Sequence, residues 1–325
     1  AEMDQVVNDF TINIATANGT GSQSANLILL QTLFDMGIPV SGKNLFPSNI
    51  SGLPTWYIVR LSEKGYQAPG DRTHIQILVN PATWEEDLAS LEPGTVVIWN
   101  MDSKMPMERE DVISYPVPMT KIARKLNPKL ARMIANVVYV GVLAELLGMD
   151  QEVLEAAISK QFGGKAKAIE LNGEAARLGR AYFAEELTKS DNYAVESREI
   201  EEGGFFIEGN EAIALGSVFG GIQMLGWYPI TPSSSVAEGI ISWLPKLRTH
   251  EGKATYAVIQ AEDELAAAGM IIGAGWAGAR GLTATSGPGI SLMQEFIGLA
   301  YFAEVPCVFW DVNRVGPSTG LPTRT

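Results

Sequence analysis

Apolar positions along the chain follow two spacings, and the points where one gives way to the other outline its elements. Residues 10–15 alternate and are rich in β-branched side chains, as in a strand, whereas 25–36 carry apolar residues at helical spacing. Between them Asn18, Gly19, Thr20 and Gly21 supply a glycine turn, so a strand–loop–helix unit is expected. Further strands are predicted at 55–61, 73–79 and 95–99, with a short helix near 83–90 before the last. Helices are predicted over 127–148, over 150–161 behind Asp150 as N-cap, and over 165–187 with an interruption at Asn172 and Gly173. This pattern is that of an α/β domain over 1–190 with an open, mostly parallel sheet. Periodicity is lost from 188, and an acidic stretch from Glu196 to Glu202 follows, which marks a linker at 191–204.

A second α/β domain is expected over 205–325. It opens with a short strand and turn at 205–210, followed by a small-residue helix over 211–226. A helix running to Leu244 and stopped by Pro245 comes next, then strands at 256–260, 282–284 and 305–312 and helices at 265–281 and 290–302. Tyr228-Pro229-Ile230-Thr231-Pro232-Ser233 introduces the helix before Pro245: Pro232 pushes Thr231 into an extended N-cap position, and three serines fill the first turn. Such a start is either a simple cap or a place for a polar or anionic ligand. Glu262 and Asp263 suit a helix start, but Glu264 precedes fifteen apolar residues and is expected to be carried inward. A carboxylate in a dry place needs a partner or a raised pKa. Three strand ends thus present Thr231, Glu264 and Arg314 on one sheet edge, where open α/β sheets bind small molecules.

Composition narrows the chemistry. With 46% hydrophobic and 19% charged residues the chain of 325 residues is globular, and its net charge of −13 argues against a nucleic-acid partner. Its single cysteine, Cys307, permits no internal disulfide and no four-thiolate cluster, which fits a reducing, cytoplasmic setting. His74 and His250 are isolated in polar surroundings and are expected at the surface rather than on a metal. The first residues lack a signal-peptide pattern, and the apolar run 265–279 is too short to span a bilayer. Gly19 and Gly21 start a dinucleotide fingerprint that Ser24 leaves incomplete, so a Rossmann-like domain without a nicotinamide cofactor is expected. Lys43 is the lone charge between Met36 and Val59, inside an expected loop over 41–54; it either binds a carboxylate or keeps the loop soluble.

The Tyr228–Ser233 motif, the Glu264 helix, Thr285-Ser286-Gly287-Pro288-Gly289 and the stretch from Asp311 through Asn313 and Arg314 to Gly320 together resemble the α subunit of thiamine-diphosphate-dependent 2-oxoacid:ferredoxin oxidoreductases. Residues 1–190 resemble the γ domain fused in front of it, and 205–325 is similar to the pyrimidine-binding domain of other thiamine enzymes such as acetolactate synthases. The resemblance implies that Glu264 hydrogen-bonds the ring nitrogen of the cofactor's aminopyrimidine, favouring the tautomer that takes the thiazolium proton. It also implies that Tyr228, Pro229, Ile230, Ser286, Gly287 and Pro288 line the cofactor, that Arg314 pairs with the substrate 1-carboxylate beside Thr231, and that Lys43 favours 2-oxoglutarate by binding its second carboxylate. The chain lacks a diphosphate- and magnesium-binding motif and cluster cysteines. The resemblance therefore implies a β subunit carrying Mg2+ and a 4Fe–4S cluster, a dimer of α–β pairs, coenzyme A as co-substrate and ferredoxin as acceptor. Family α subunits continue into a further domain, so this chain is expected to be a fragment. A non-oxidative thiamine lyase or synthase, or a non-catalytic scaffold subunit, stands as the alternative.

Overall fold

The alternating run near the N-terminus becomes strand β2 (Phe10–Ala17), preceded by the two-residue β1 (Val6–Val7). Phe10, Ile12 and Ile14 are fully buried, because β2 lies inside a sheet covered on both faces. The computed structural model describes residues 4–45, 51–199, 204–314 and 320, and the chain divides into two units, 1–204 and 205–325.

The first unit continues through α1 (Ser22–Asp35), β3 (Val40–Leu45), β4 (Pro54–Leu61), β5 (Ile75–Leu78), α2 (Trp84–Ala89), β6 (Val96–Asn100) and β7 (Ile113–Val117). Helices α3 (Met119–Leu126), α4 (Ala131–Leu147), α5 (Gln151–Gln161) and α6 (Ala166–Glu186) follow, then β8 (Tyr193–Ala194). The sheet order is β3-β4-β2-β5-β6-β7, with only β4 running against its neighbours. Gly19 and Gly21 adopt φ of 74° and 80°, which turns the chain from β2 into α1. The turn is tied to α4, since Asn136 Nδ2 donates to the Thr20 carbonyl at 2.6 Å and the Tyr139 hydroxyl donates to Asn26 Oδ1 at 2.7 Å.

Four expectations change in this unit. Lys43 is not in a loop: it lies exposed on edge strand β3, paired with Ile58 of β4. Ser41, Gly42, Lys43 and Asn44 have little strand propensity of their own, and it is pairing with β4 that extends them. The rest of the expected loop, 46–50, lies outside the described residues. Helix α6 runs unbroken through Asn172, whose Nδ2 donates back to the Ala168 carbonyl at 2.8 Å, and through the buried Gly173. The segment expected as a linker is held to the first unit as far as Arg198: β8 pairs with β1, Asn8 exchanges two hydrogen bonds with the Glu196 backbone, and the Arg198 N–H donates to the Met36 carbonyl at 2.8 Å. Finally, His74 is half-buried rather than at the surface, its Nδ1 accepting from the Thr11 N–H at 3.0 Å.

The second unit runs α7 (Gly209–Phe219), β9 (Met224–Trp227), α8 (Ser234–Leu247), the hairpin β10 (Thr249–His250) and β11 (Lys253–Ala254), β12 (Ala257–Gln260), α9 (Glu264–Trp276), β13 (Gly281–Thr285), α10 (Gly287–Phe302) and β14 (Cys307–Asp311). Its sheet order is β12-β9-β13-β14, all parallel. Residues 205–208 form no strand, and the helix expected over 211–226 ends at Phe219. Gly221, at φ 86°, reverses the chain so that Leu225 and Trp227 enter the sheet as β9. Helix α8 also continues past Pro245 to Leu247, since a proline in the last turn removes a single backbone bond. Leu225, Trp227, Val236, Ile240, Leu244 and Leu282 form the core between α8 and the sheet. Among the described residues no single helix is long and apolar enough to cross a membrane.

Candidate functional site

Because all four strands of the second sheet are parallel, their carboxyl ends deliver Tyr228, Glu264, Ser286 and Arg314 to one edge. After β9 the chain makes a turn through a cis Thr231–Pro232 peptide, and α8 starts only at Ser234. Ser233, not Thr231, therefore stands at the N-cap, without a capping side-chain bond. The serines are used by the turn itself. Ser233 Oγ donates to the Ile230 carbonyl at 3.0 Å, Ser234 Oγ accepts from the Ile230 N–H at 3.1 Å, and Ser235 Oγ donates to the Pro232 carbonyl at 3.3 Å. Thr231 and Pro229 are exposed, and Tyr228 and Ile230 half-buried. Arg314 meets this turn directly: its Nε donates to the Thr231 carbonyl at 2.6 Å.

Glu264 is the first residue of α9 and only 9% exposed. Asp263 caps the helix, its Oδ1 accepting from the Ala266 N–H at 2.7 Å, and Glu262 is exposed, so these two acidic residues serve the helix end alone. Glu264 lies instead against α10. A Cβ placed on Gly289 would fall 3.1 Å from Glu264 Cγ and 1.8 Å from Thr285 Oγ1, so glycine alone allows α10 to start here. Thr285 Oγ1 and Ser286 Oγ are buried and have no hydrogen-bond partner among the described residues. Two unmet hydroxyls next to a buried carboxylate mark a place built for a polar ligand. The sequence offered Thr285 only as part of the motif 285–289, with no role of its own; its place beside Glu264, around Gly289, is what distinguishes it. The end of β14 closes the group, with the Val312 N–H donating to the Thr285 carbonyl at 2.9 Å and Asn313 Oδ1 3.0 Å from where a Gly287 Cβ would stand. Helices α8, α9 and α10 all begin at this edge, and their dipoles favour a ligand with negative charge. The motif beyond Arg314, residues 315–319, and residues 321–325 lie outside the described residues.

The first unit offers a second cleft. The carboxyl ends of β2, β5 and β6, with α3 and α4, enclose about 500 Å³ lined by Thr20, Asn80, Asn100, Arg124, Lys129 and Arg132. Among the described residues no group of three or more His, Cys, Asp or Glu side chains is placed to hold a metal ion.

A parallel sheet whose carboxyl edge gathers a buried carboxylate, two unmet hydroxyls and an arginine-anchored turn defines an α/β cofactor-binding domain. Comparison with known proteins specifies it. The family model for pyruvate ferredoxin/flavodoxin oxidoreductase matches residues 11–182, and that for the thiamine-diphosphate-binding domain of pyruvate flavodoxin/ferredoxin oxidoreductase matches residues 216–325. The chain belongs to the pyruvate ferredoxin/flavodoxin oxidoreductase family. It is 29% identical over 98% of its length to the α subunit of 2-oxoacid:ferredoxin oxidoreductase 2 from Aeropyrum pernix, covering 57% of that protein. It is 31% identical over 82% of its length to the 2-oxoglutarate oxidoreductase subunit KorA of Mycobacterium tuberculosis, covering 44% of it. The solved 2-oxoglutarate:ferredoxin oxidoreductase of Magnetococcus marinus, with 2-oxoglutarate, coenzyme A and succinyl-CoA bound, superposes with a TM-score of 0.86 at 34% identity over 97% of this chain and 54% of that one. The chain thus spans about half the length of the relatives it matches.

The residues present fit the pyrimidine end of thiamine diphosphate. An aminopyrimidine offers a ring nitrogen to a carboxylate and polar edges to hydroxyls, and Glu264, Thr285 and Ser286 present those groups at one point.

Proposed function

We propose that the protein containing this chain is a thiamine-diphosphate-dependent 2-oxoacid:ferredoxin oxidoreductase, of which 205–325 is the pyrimidine-binding domain and 1–190 the γ domain. It converts a 2-oxoacid, 2-oxoglutarate by preference, and coenzyme A into an acyl-CoA, carbon dioxide and reduced ferredoxin. The observation that carries this is the buried Glu264 beside the unpaired hydroxyls of Thr285 and Ser286, on the same edge as Arg314.

Bound thiamine diphosphate supplies the electron sink for decarboxylation. The chain's own residues prepare that chemistry. Glu264, carried into a dry site, holds the proton at the aminopyrimidine ring nitrogen. Tyr228, Pro229, Ile230, Gly287 and Pro288 wall the cofactor and exclude water. Arg314, whose Nε donates to the Thr231 carbonyl, pairs with the substrate 1-carboxylate, and the Thr231 hydroxyl binds the oxygen beside it. The cleft of the first unit, with Arg124, Lys129 and Arg132, takes the phosphates of coenzyme A.

A β subunit completes the site with the diphosphate end, Mg2+ and a 4Fe–4S cluster, in a cytoplasmic dimer of α–β pairs. The test is purification of the native complex and assay of methyl viologen reduction with a panel of 2-oxoacids plus coenzyme A. Coenzyme-A-dependent reduction that is greatest with 2-oxoglutarate is expected; product formation without reduction would replace this with a non-oxidative thiamine enzyme. In the same assay Lys43→Ala is expected to narrow the preference for 2-oxoglutarate over pyruvate. Glu264→Gln is expected to lower turnover by about 100-fold or more, and full activity in that variant would make the chain a scaffold.

A further inference from the structure

The turn that carries Thr231 is fixed from two sides, and only one of them is Arg314. Its three successive carbonyls are all claimed: that of Ile230 by Ser233 Oγ and the Ser234 N–H, that of Thr231 by Arg314 Nε, and that of Pro232 by Asn210 Nδ2 at 3.1 Å. Asn210 comes from the first turn of α7, outside the motif, and the same amide donates to Ser235 Oγ at 2.7 Å. One planar group thus holds both the turn and the first residues of α8. Helix α7 is itself a firm base. A Cβ on Gly239 of α8 would fall 2.7 Å from Ala214 Cβ of α7, and the Trp243 indole N–H donates to Glu211 Oε1.

We propose that Asn210 is a positioning residue for the 2-oxoacid site: its amide clamps the Pro232 carbonyl so that the Thr231 hydroxyl is held where the substrate needs it. The inference rests on the reading of Thr231 as a substrate-binding residue. Removing the amide donor leaves the Pro232 carbonyl with only the longer bond from Ser235 Oγ while Arg314 still holds the other flank, so the turn loosens, substrate binding weakens and the cofactor site at Glu264 is left as it was.

The informative variant is Asn210→Asp in the assembled complex. Aspartate keeps the shape and is favoured in the first turn of a helix, yet donates nothing to the Pro232 carbonyl. We expect KM for the 2-oxoacid to rise about fivefold to tenfold, the range for one lost hydrogen bond, with kcat changed less than about twofold and the affinity for thiamine diphosphate unchanged. The double variant Asn210→Asp/Thr231→Val is expected to be no worse than Thr231→Val alone. Hydrogen–deuterium exchange is expected to quicken in the peptide covering 228–235 and not in the later turns of α8. Additive effects in the double variant, or unaltered exchange over 228–235, overturn the assignment. Should the complex turn over no 2-oxoacid at all, the proposed function falls, while the exchange measurement still decides whether Asn210 holds the turn.

Discussion

At the scale of single residues, the role proposed for Arg314 cannot pass to lysine. Arg314 Nε donates to the Thr231 carbonyl, and the proposed function adds a substrate carboxylate to the same guanidinium. A lysine has one nitrogen for both. Arg314→Lys is therefore expected to raise KM for the 2-oxoacid by about tenfold or more, read by steady-state methyl viologen reduction; a KM within about twofold of wild type would remove Arg314 from the substrate site. His74 makes a prediction about pH. Burial, then Arg72 and Arg60, lowers its pKa from 6.5, and Nδ1 must stay unprotonated to accept from Thr11. Since the unfolded chain takes up the proton first, the contribution of His74 to stability is present above pH about 6.5 and is lost as pH falls towards the lowered folded value. Thermal unfolding of wild type is expected to lose ground between pH about 7 and about 5, and His74→Asn, whose Oδ1 replaces Nδ1 as acceptor, is expected to flatten that slope. The gathering of Thr231, Glu264 and Arg314 on one sheet edge was legible in the sequence because each follows a strand. The motif containing Thr285 was legible too, but its contact with the Glu264 region was not, because that depends on how closely α10 starts against α9 at Gly289.

At the scale of elements, the first unit depends on one close helix crossing. A Cβ on Gly141 of α4 would lie 2.0 Å from the Ala176 carbonyl oxygen, and one on Gly179 of α6 would lie 2.2 Å from that of Val138. The two backbones touch, so neither position has room for a methyl group. Gly141→Ala is expected to destabilise the unit by about 2 kcal/mol, or to lower its melting temperature by about 5 °C, because no flexible side chain can move aside. Calorimetry of the variant decides it, and an unchanged melting point would mean that the crossing relaxes. Long elements with a clear period, such as α4, α5 and β4, were legible to within a few residues. Errors fell where local propensity and tertiary pairing disagree. Strand β3 is made by its partner β4, α6 absorbs Asn172 and Gly173 because the rest of the helix is packed, and β9 hid inside a run of small residues until Gly221 turned it.

At the scale of the molecule, the second unit is left uncovered over much of its surface. Tyr301 and Phe302 at the end of α10 are 88% and 87% exposed, and Trp276 at the end of α9 is 71% exposed. Apolar surface of that size on one unit marks an interface. The chain alone is expected to bind a hydrophobic dye strongly, and co-purification with the proposed β subunit to suppress most of that fluorescence; an equal signal in the complex would mean that this surface is not where the proposed subunit binds. No motif announces this surface in the sequence, since apolar residues in a helix look alike whether they face a core or a partner.

The order of strands in the second sheet has a further consequence, for synthesis. Strand β9 sits between β12 and β13, both later in the chain, so the strand that is translated first stays half-paired until β13 arrives. A nascent chain that has reached α9 holds β9 with one neighbour and an open edge. Only when β13 emerges does Thr285 come to lie beside Glu264, so the pocket at Glu264 begins to form in the same step that closes the open edge of β9.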